Sequence, residues 1–254
     1  MESKITQRIR KANQEGRKAL IPFLPAGFPG KEEFWDCLVE LDRAGADVIE
    51  IGVPFSDPVA DGPTVEQASL ECLERGVTLG WILEELGKRR GEMESAIVLM
   101  GYYNPFLQYG LDKLARDAAQ AGVNGFIVPD APIEEQGPMR EALQKHDVDM
   151  IPLVGLNTGP ERLAAYAEHA RGFVYFVSVL GTTGERVTLP GEISQRLGAA
   201  QAAFGVPLAL GFGIKTPDQL DAFADHLDAV VFGSALITHI RQGRRPAEFM
   251  EAWR

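Results

Sequence analysis

Cysteine is scarce: Cys37 and Cys72 are the only two in 254 residues. Neither has a metal-ligand spacing or belongs to a disulfide framework, so a reducing compartment, the cytoplasm, is expected. Basic charge is also short, with 25 Lys and Arg against 36 Asp and Glu and a formal net charge of -11. That excludes a nucleic-acid binder, which needs a basic face, and suits a chain that repels its own copies. Long apolar runs are missing too. The strand-like runs span about five residues, where a membrane helix needs about 20. Met1–Arg17 is polar and charged and holds no apolar core of a signal peptide. The histidines (His146, His169, His226 and His239) are scattered over helical segments or their ends. They read as surface or cap residues, and no metal centre is expected.

What is present is an alternation. Short apolar runs at Leu20–Leu24, Val48–Gly52, Ala96–Met100, Phe126–Val128, Met150–Val154, Phe173–Val177, Leu208–Leu210 and Ala229–Phe232 are each followed by amphipathic stretches. The helical stretches are expected at 31–44, 64–75, 79–90, 111–121, 134–145, 160–169, 191–203, 216–226 and 235–241. Strand-then-helix order implies a parallel sheet with helices outside it. Eight such units in this length match a closed (β/α)8 barrel, the TIM-barrel architecture, as a single domain over residues 1–254. An open doubly wound sheet is the alternative, and it more often has fewer strands. A weak echo precedes several strands: Ala44-Gly45-Ala46-Asp47, Ala121-Gly122-Val123-Asn124 and His226-Leu227-Asp228. It reads as a repeated helix C-cap and tight turn.

One strand carries a charge. Glu50 is the only ionisable residue inside Val48–Gly52, and a second carboxylate, Asp61, follows on the next loop. A lone buried carboxylate costs several kcal/mol unless it is paired or neutralised. A buried ion pair would need a basic residue on a neighbouring strand, and none of the strand-like runs contains Lys, Arg or His. Alternation puts Val48, Glu50 and Gly52 on one face, with Ile49 and Ile51 on the other. The isoleucines suit the helix layer. Glu50 then points into the barrel near its C-terminal mouth, where barrels hold their active sites.

Two glycine-rich strand ends come late. Gly211-Phe212-Gly213-Ile214 follows the seventh strand, and Gly233-Ser234-Ala235 follows the eighth and opens a helix. Bare backbone N–H groups and a helix N-terminus attract an anion, and these are the loops where many barrels hold phosphate. A third loop, Gly181–Arg186, follows the sixth strand and is expected to close over the ligand. Each motif alone also reads as an ordinary turn or N-cap; their positions after adjacent strands point to phosphate.

The run IEIGVPFSDPVADGPT (Ile49–Thr64) resembles the signature of the tryptophan synthase alpha subunit. GYYNPFLQYG (Gly101–Gly110), VPDAPIEEQG (Val128–Gly137), IPLV (Ile151–Val154), GFGI (Gly211–Ile214) and GSAL (Gly233–Leu236) resemble that family in the same order, over essentially the whole chain. The resemblance implies cleavage of indole-3-glycerol phosphate to indole and glyceraldehyde 3-phosphate. It implies Glu50 and Asp61 as catalytic carboxylates. Phe23, Tyr175 and Phe212 match pocket aromatics, Thr183 matches the threonine of a closing loop, and Gly184, Gly213, Gly233 and Ser234 match phosphate-binding positions. It implies no metal and no cofactor on this chain, with pyridoxal phosphate on a beta subunit bound in an alpha2-beta2 complex. The loops 53–61 and 102–109, with Pro54, Asp57 and Asn104, are the expected docking face. The chain departs from the family at Pro25-Ala26-Gly27-Phe28-Pro29, at Gly181-Thr182-Thr183-Gly184 and at Gly155-Leu156-Asn157.

Rival readings are another phosphate-binding barrel enzyme, a catalytically silent partner-activating subunit, and a stand-alone lyase that releases free indole. The first wants a barrel lysine or an acid–base pair on the first and fifth strands, and neither is in the strand runs. The intact carboxylate pair argues against the second. The third differs only at the partner face.

Overall fold

Parallel strands in the order β5-β4-β3-β2-β1-β9-β8-β7-β6 form the sheet. They are β1 (Ala19–Pro25), β2 (Val48–Gly52), β3 (Ala96–Met100), β4 (Gly125–Ile127), β5 (Asp149–Met150), β6 (Leu153–Gly155), β7 (Val174–Val177), β8 (Leu208–Gly211) and β9 (Ala229–Phe232). The structure, a computed structural model, describes residues 2–89, 91–177, 190–211, 216–220 and 223–253.

The two ends of that order close the ring, because β5 and β6 are halves of one extended stretch. Ile151 still donates its N–H to Phe126 on the β4 side at 2.8 Å, while the Pro152 carbonyl already accepts from Tyr175 of β7 at 2.9 Å. Proline has no N–H to give to a ladder, so the pairing changes neighbours at Pro152. The fifth strand expected over Met150–Val154 is therefore one barrel position divided in two. The fold is a TIM barrel.

Helices α1 (Lys4–Gln14), α2 (Lys31–Arg43), α3 (Pro63–Glu74), α4 (Leu79–Lys88), α5 (Tyr103–Tyr109), α6 (Leu111–Ala121), α7 (Gly137–Gln144), α8 (Pro160–Ala167), α9 (Pro190–Ala203), α10 (Ser234–Arg241) and α11 (Pro246–Glu251) accompany the strands. In α2 the first turn carries Glu32 and Glu33 and the last carries Arg43, which suits the helix dipole. Its buried residues Phe34, Leu38 and Leu41 recur at helical spacing and join Ile49 and Ile51 in the outer apolar layer. Val48, Val98, Ala209, Ala229 and Val231 form a separate inner cluster. The alternation read for β2 is thus the one observed.

The repeated turn has a second function. Asp47 accepts the N–H of Leu20 at 2.9 Å, Asn124 that of Ile97 at 2.9 Å, and Asp228 that of Leu208 at 2.8 Å. In each case a residue just before one strand secures the start of its neighbour. Gly45 and Gly122, at φ 94° and 90°, turn the chain toward the first two of these positions.

Three helices were not foreseen from the sequence. α1 begins at Ser3, whose Oγ accepts the Thr6 N–H at 3.2 Å, and buries Ile5, Ile9 and Ala12 in the inner cluster. Its charged outer face hid a narrow apolar stripe that plugs the N-terminal end of the barrel. α5 occupies 103–109, expected as a loop, and its Phe106 is buried edge-on against Phe126 at 5.2 Å. α11 follows the last strand unit. Conversely, the helix expected over 216–226 is described only as short 3-10 turns at Pro217–Leu220 and Ala224–His226.

Candidate active site

Glu50 is the third residue of β2, level with Phe23 of β1 and Val98 of β3. It is 2% exposed, and its Oε2 has no hydrogen-bond partner. Burial pushes its pKa up to about 8, and the nearby Asp61 charge adds to the rise. Glu50 is therefore protonated at neutral pH.

Asp61 hangs on the loop between β2 and α3. Its N–H donates to the Pro58 carbonyl at 3.0 Å. Burial pushes its pKa up to about 6, the nearby Tyr102 hydroxyl opposes the rise, and Glu66 adds to it. Asp61 ionises first, while Glu50 is still neutral, so only Glu50 feels the like charge. Two carboxyls with pKa values pushed apart can serve as one acid and one anion at the same pH.

Aromatic walls stand around the pair. Phe23 lies between two glycines: a Cβ on Gly52 would come within 2.7 Å of its ring, and a Cβ on Gly233 within 2.8 Å. The Tyr175 hydroxyl lies over Gly211, where an added Cβ would collide with it. Burial, then the Glu50 and Asp61 charges, holds the Tyr175 pKa well above its ordinary value, so its proton stays on. Glycine at 52, 211 and 233 is what lets two large rings fit in the mouth.

Gly233 is the N-cap of α10 and Ser234 its first, exposed residue, so this helix N-terminus opens at the same end of the barrel. The structure thus brings together Phe23, Glu50, Asp61, Tyr175 and Gly233, with Ser234 beside them. Thr183, Gly184, Phe212 and Gly213 lie outside the described residues. On the expected docking face, Asp57 and Asn104 are exposed, whereas Pro54 is buried within the chain itself. The Ser56 Oγ bonds Asp57 at 2.5 Å. Sequence reasoning missed Tyr102. Its signal was an aromatic residue directly after Gly101, the glycine that follows β3.

An all-parallel barrel with a neutral carboxylic acid and a second carboxylate at its C-terminal mouth is, as a class, a barrel enzyme built for proton transfer. The profile of the tryptophan synthase alpha chain matches residues 9–252, and the chain belongs to that family. The tryptophan synthase alpha chain of Solidesulfovibrio magneticus is 67% identical over 253 residues, spanning 100% of this chain and 99% of its own length. That of Maridesulfovibrio salexigens is 56% identical over 252 residues, spanning 99% of each. Among solved structures, tryptophan synthase from M. tuberculosis in an open form with BRD0059 bound matches with a TM-score of 0.89 at 33% identity, over 100% of this chain and 98% of that one. The alpha subunit from Legionella pneumophila matches with a TM-score of 0.88 at 31% identity, over 100% and 96%. The chain is an alpha subunit of tryptophan biosynthesis and a carbon–carbon lyase acting on indole-3-glycerol phosphate. The family implies a beta-subunit partner.

Proposed function

We propose that Glu50 and Asp61 carry the cleavage of indole-3-glycerol phosphate, within one catalytic domain spanning residues 1–254. The observation that supports this most is the unpartnered Glu50 Oε2, buried at the barrel mouth beside Asp61. Glu50 starts protonated and gives its proton to the third carbon of the indole ring. Asp61, ionised, accepts a hydrogen bond from the ring N–H and stabilises the positive charge that grows there. The Glu50 carboxylate then takes the proton of the glycerol hydroxyl next to the ring. The carbon–carbon bond breaks, its electron pair returns to the ring, and indole and glyceraldehyde 3-phosphate leave. Glu50 ends as it began, protonated. Phe23, Tyr175 and Phe212 wall the ring. Gly233 and Ser234 at the start of α10 are assigned to the phosphate together with Gly184 and Gly213, and Thr183 is assigned to the closing loop.

Asp61→Asn tests the anion. Its charge matters most as the transition state forms, so kcat is expected to fall about 100-fold with KM changed only a few-fold. In the unmodified protein kcat/KM should be bell-shaped: rising as Asp61 ionises near 6 and falling as Glu50 loses its proton near 8. In the asparagine variant the alkaline limb should move down, because one cause of the raised Glu50 pKa is gone. A loss confined to KM would mean that Asp61 only positions substrate.

The lyase step needs acid–base groups alone, so we place pyridoxal phosphate on the beta subunit of an alpha2-beta2 complex. The cytoplasm is the proposed compartment, in keeping with the free thiols of Cys37 and Cys72. The docking face is proposed at the 53–61 loop, where Val59 is 76% exposed beside Ser56 and Asp57. Asp57→Ala is expected to lower activation by a saturating beta subunit more than it lowers the basal lyase rate. An equal fractional loss in both would tie Asp57 to the alpha site. No activation at all in the unaltered chain would favour the stand-alone lyase.

A further inference from the structure

Tyr102 is 2% exposed, yet it touches both ends of the loop that carries Asp61. Its ring stacks on Phe55 near the start of the loop, with centroids 5.3 Å apart and planes 29° from parallel. Its hydroxyl accepts the Ala60 N–H near the end of the loop at 3.0 Å. Asp61 directly follows Ala60, so its carboxyl is carried close to the same hydroxyl, which holds the Asp61 pKa down against burial.

The base of Tyr102 is fixed. Gly101 donates to the Ile127 carbonyl at 3.0 Å, Val53 donates to Met100 at 2.7 Å, and the Tyr103 N–H is held by Asp130 at 2.9 Å. A Cβ on Gly101 would meet the Phe106 ring at 2.8 Å and Val53 at 3.0 Å, so the backbone beneath the tyrosine has no slack. The loop thus hangs from a post set on three strands.

We propose that Tyr102 is a positioning residue for the lyase reaction, holding the 53–62 loop so that Asp61 faces the indole nitrogen. This rests on the reading of Asp61 given above. Among the described residues, the other titratable groups facing the pair are Glu66 on α3, Glu50 and Tyr175 across the mouth, and Asp130 beyond β4. None of these is a cation, and the Tyr102 hydroxyl is the neighbour that favours ionised Asp61.

The test is steady-state cleavage against pH for the unaltered chain, Tyr102→Phe, Asp61→Asn and the double variant. Phenylalanine keeps the stacking on Phe55 and removes only the hydroxyl. Loss of the hydroxyl that favours the charged carboxylate should cut kcat about tenfold, leave KM within about twofold, and move the acid limb up by roughly one pH unit. In the Asp61→Asn background the same change should do nothing further. Incorporation of 3-fluorotyrosine at position 102, a stronger donor of the same shape, should move the acid limb down. It keeps the test valid if Tyr102→Phe melts early. An unmoved acid limb in both Tyr102 replacements overturns the proposal. So does an equal KM rise in both backgrounds, which would make Tyr102 a substrate contact. Full activity in Asp61→Asn would instead sink the functional reading. An inactive Asp61→Asn beside an unaltered Tyr102→Phe would sink only the inference about Tyr102.

Discussion

Glu50→Gln is expected to lose indole formation by 10²- to 10⁴-fold or more, the scale of a general acid–base group, and to gain stability at alkaline pH. The two effects share a cause. In the folded chain the Glu50 pKa rises from 4.5 to about 8. Between those values the folded state keeps a proton that the unfolded state has lost, so stability falls as pH rises across the window and then levels off. The full drop is of order 5 kcal/mol. Glutamine has the same shape and never ionises, so the variant should escape that loss. Denaturant unfolding near pH 5 and pH 9, beside an indole assay, would measure both. Full activity in the variant, or equal stability of the two proteins at pH 9, would count against a buried, working carboxyl.

Gly233→Asp should reduce kcat/KM by at least 100-fold, and through two routes. A carboxylate at the N-terminus of α10 repels the phosphate. From the sequence alone that would be the whole effect, with indole binding left nearly unchanged. The structure changes the expectation. The new Cβ would lie 2.8 Å from the Phe23 ring, and Phe23 is held from the other side by Gly52. The ring cannot retreat, so the indole wall moves as well. Gly233→Ala separates the two routes: it adds the clash without the charge. Indole binding should weaken in both variants, and inhibition by glycerol phosphate should weaken mainly in the aspartate one. Unaltered glycerol phosphate inhibition in Gly233→Asp would move the anion site elsewhere.

The barrel was legible because its strands are apolar, short and regularly spaced. β2, β3 and β9 fall where the runs predict them. Glu50 was legible because an unpaired charge in such a run is costly. What escaped had a weaker signal or a competing one. α1 buries few residues beneath a charged face, so composition outweighed periodicity. α5 begins with Tyr-Asn-Pro, a turn-like string, and packing on Phe126 decided in favour of helix. Pro152 lies within an apolar run that otherwise reads as continuous. The function of Tyr102 depends on Ala60 and Phe55, brought to it by the chain's path through the loop. No spacing rule connects those positions.

Ring closure also sets the order in which the molecule can be completed during synthesis. β1 emerges early, but one of its two neighbours is β9, paired through Ala19 with Ala229 and Pro22 with Phe232. Until the last strand leaves the ribosome, β1 has one flank unpaired and α1 has only part of its apolar seat. Asn13 and the Ala19 N–H both bond the Asp228 carbonyl, at 2.8 and 2.9 Å, so the region around α1 is tied down by a residue made much later. A nascent chain therefore passes through an open half-ring with an exposed strand edge, the kind of edge that recruits other chains. The final seam joins residues more than two hundred positions apart, and its closure entropy is met only once β9 has been made.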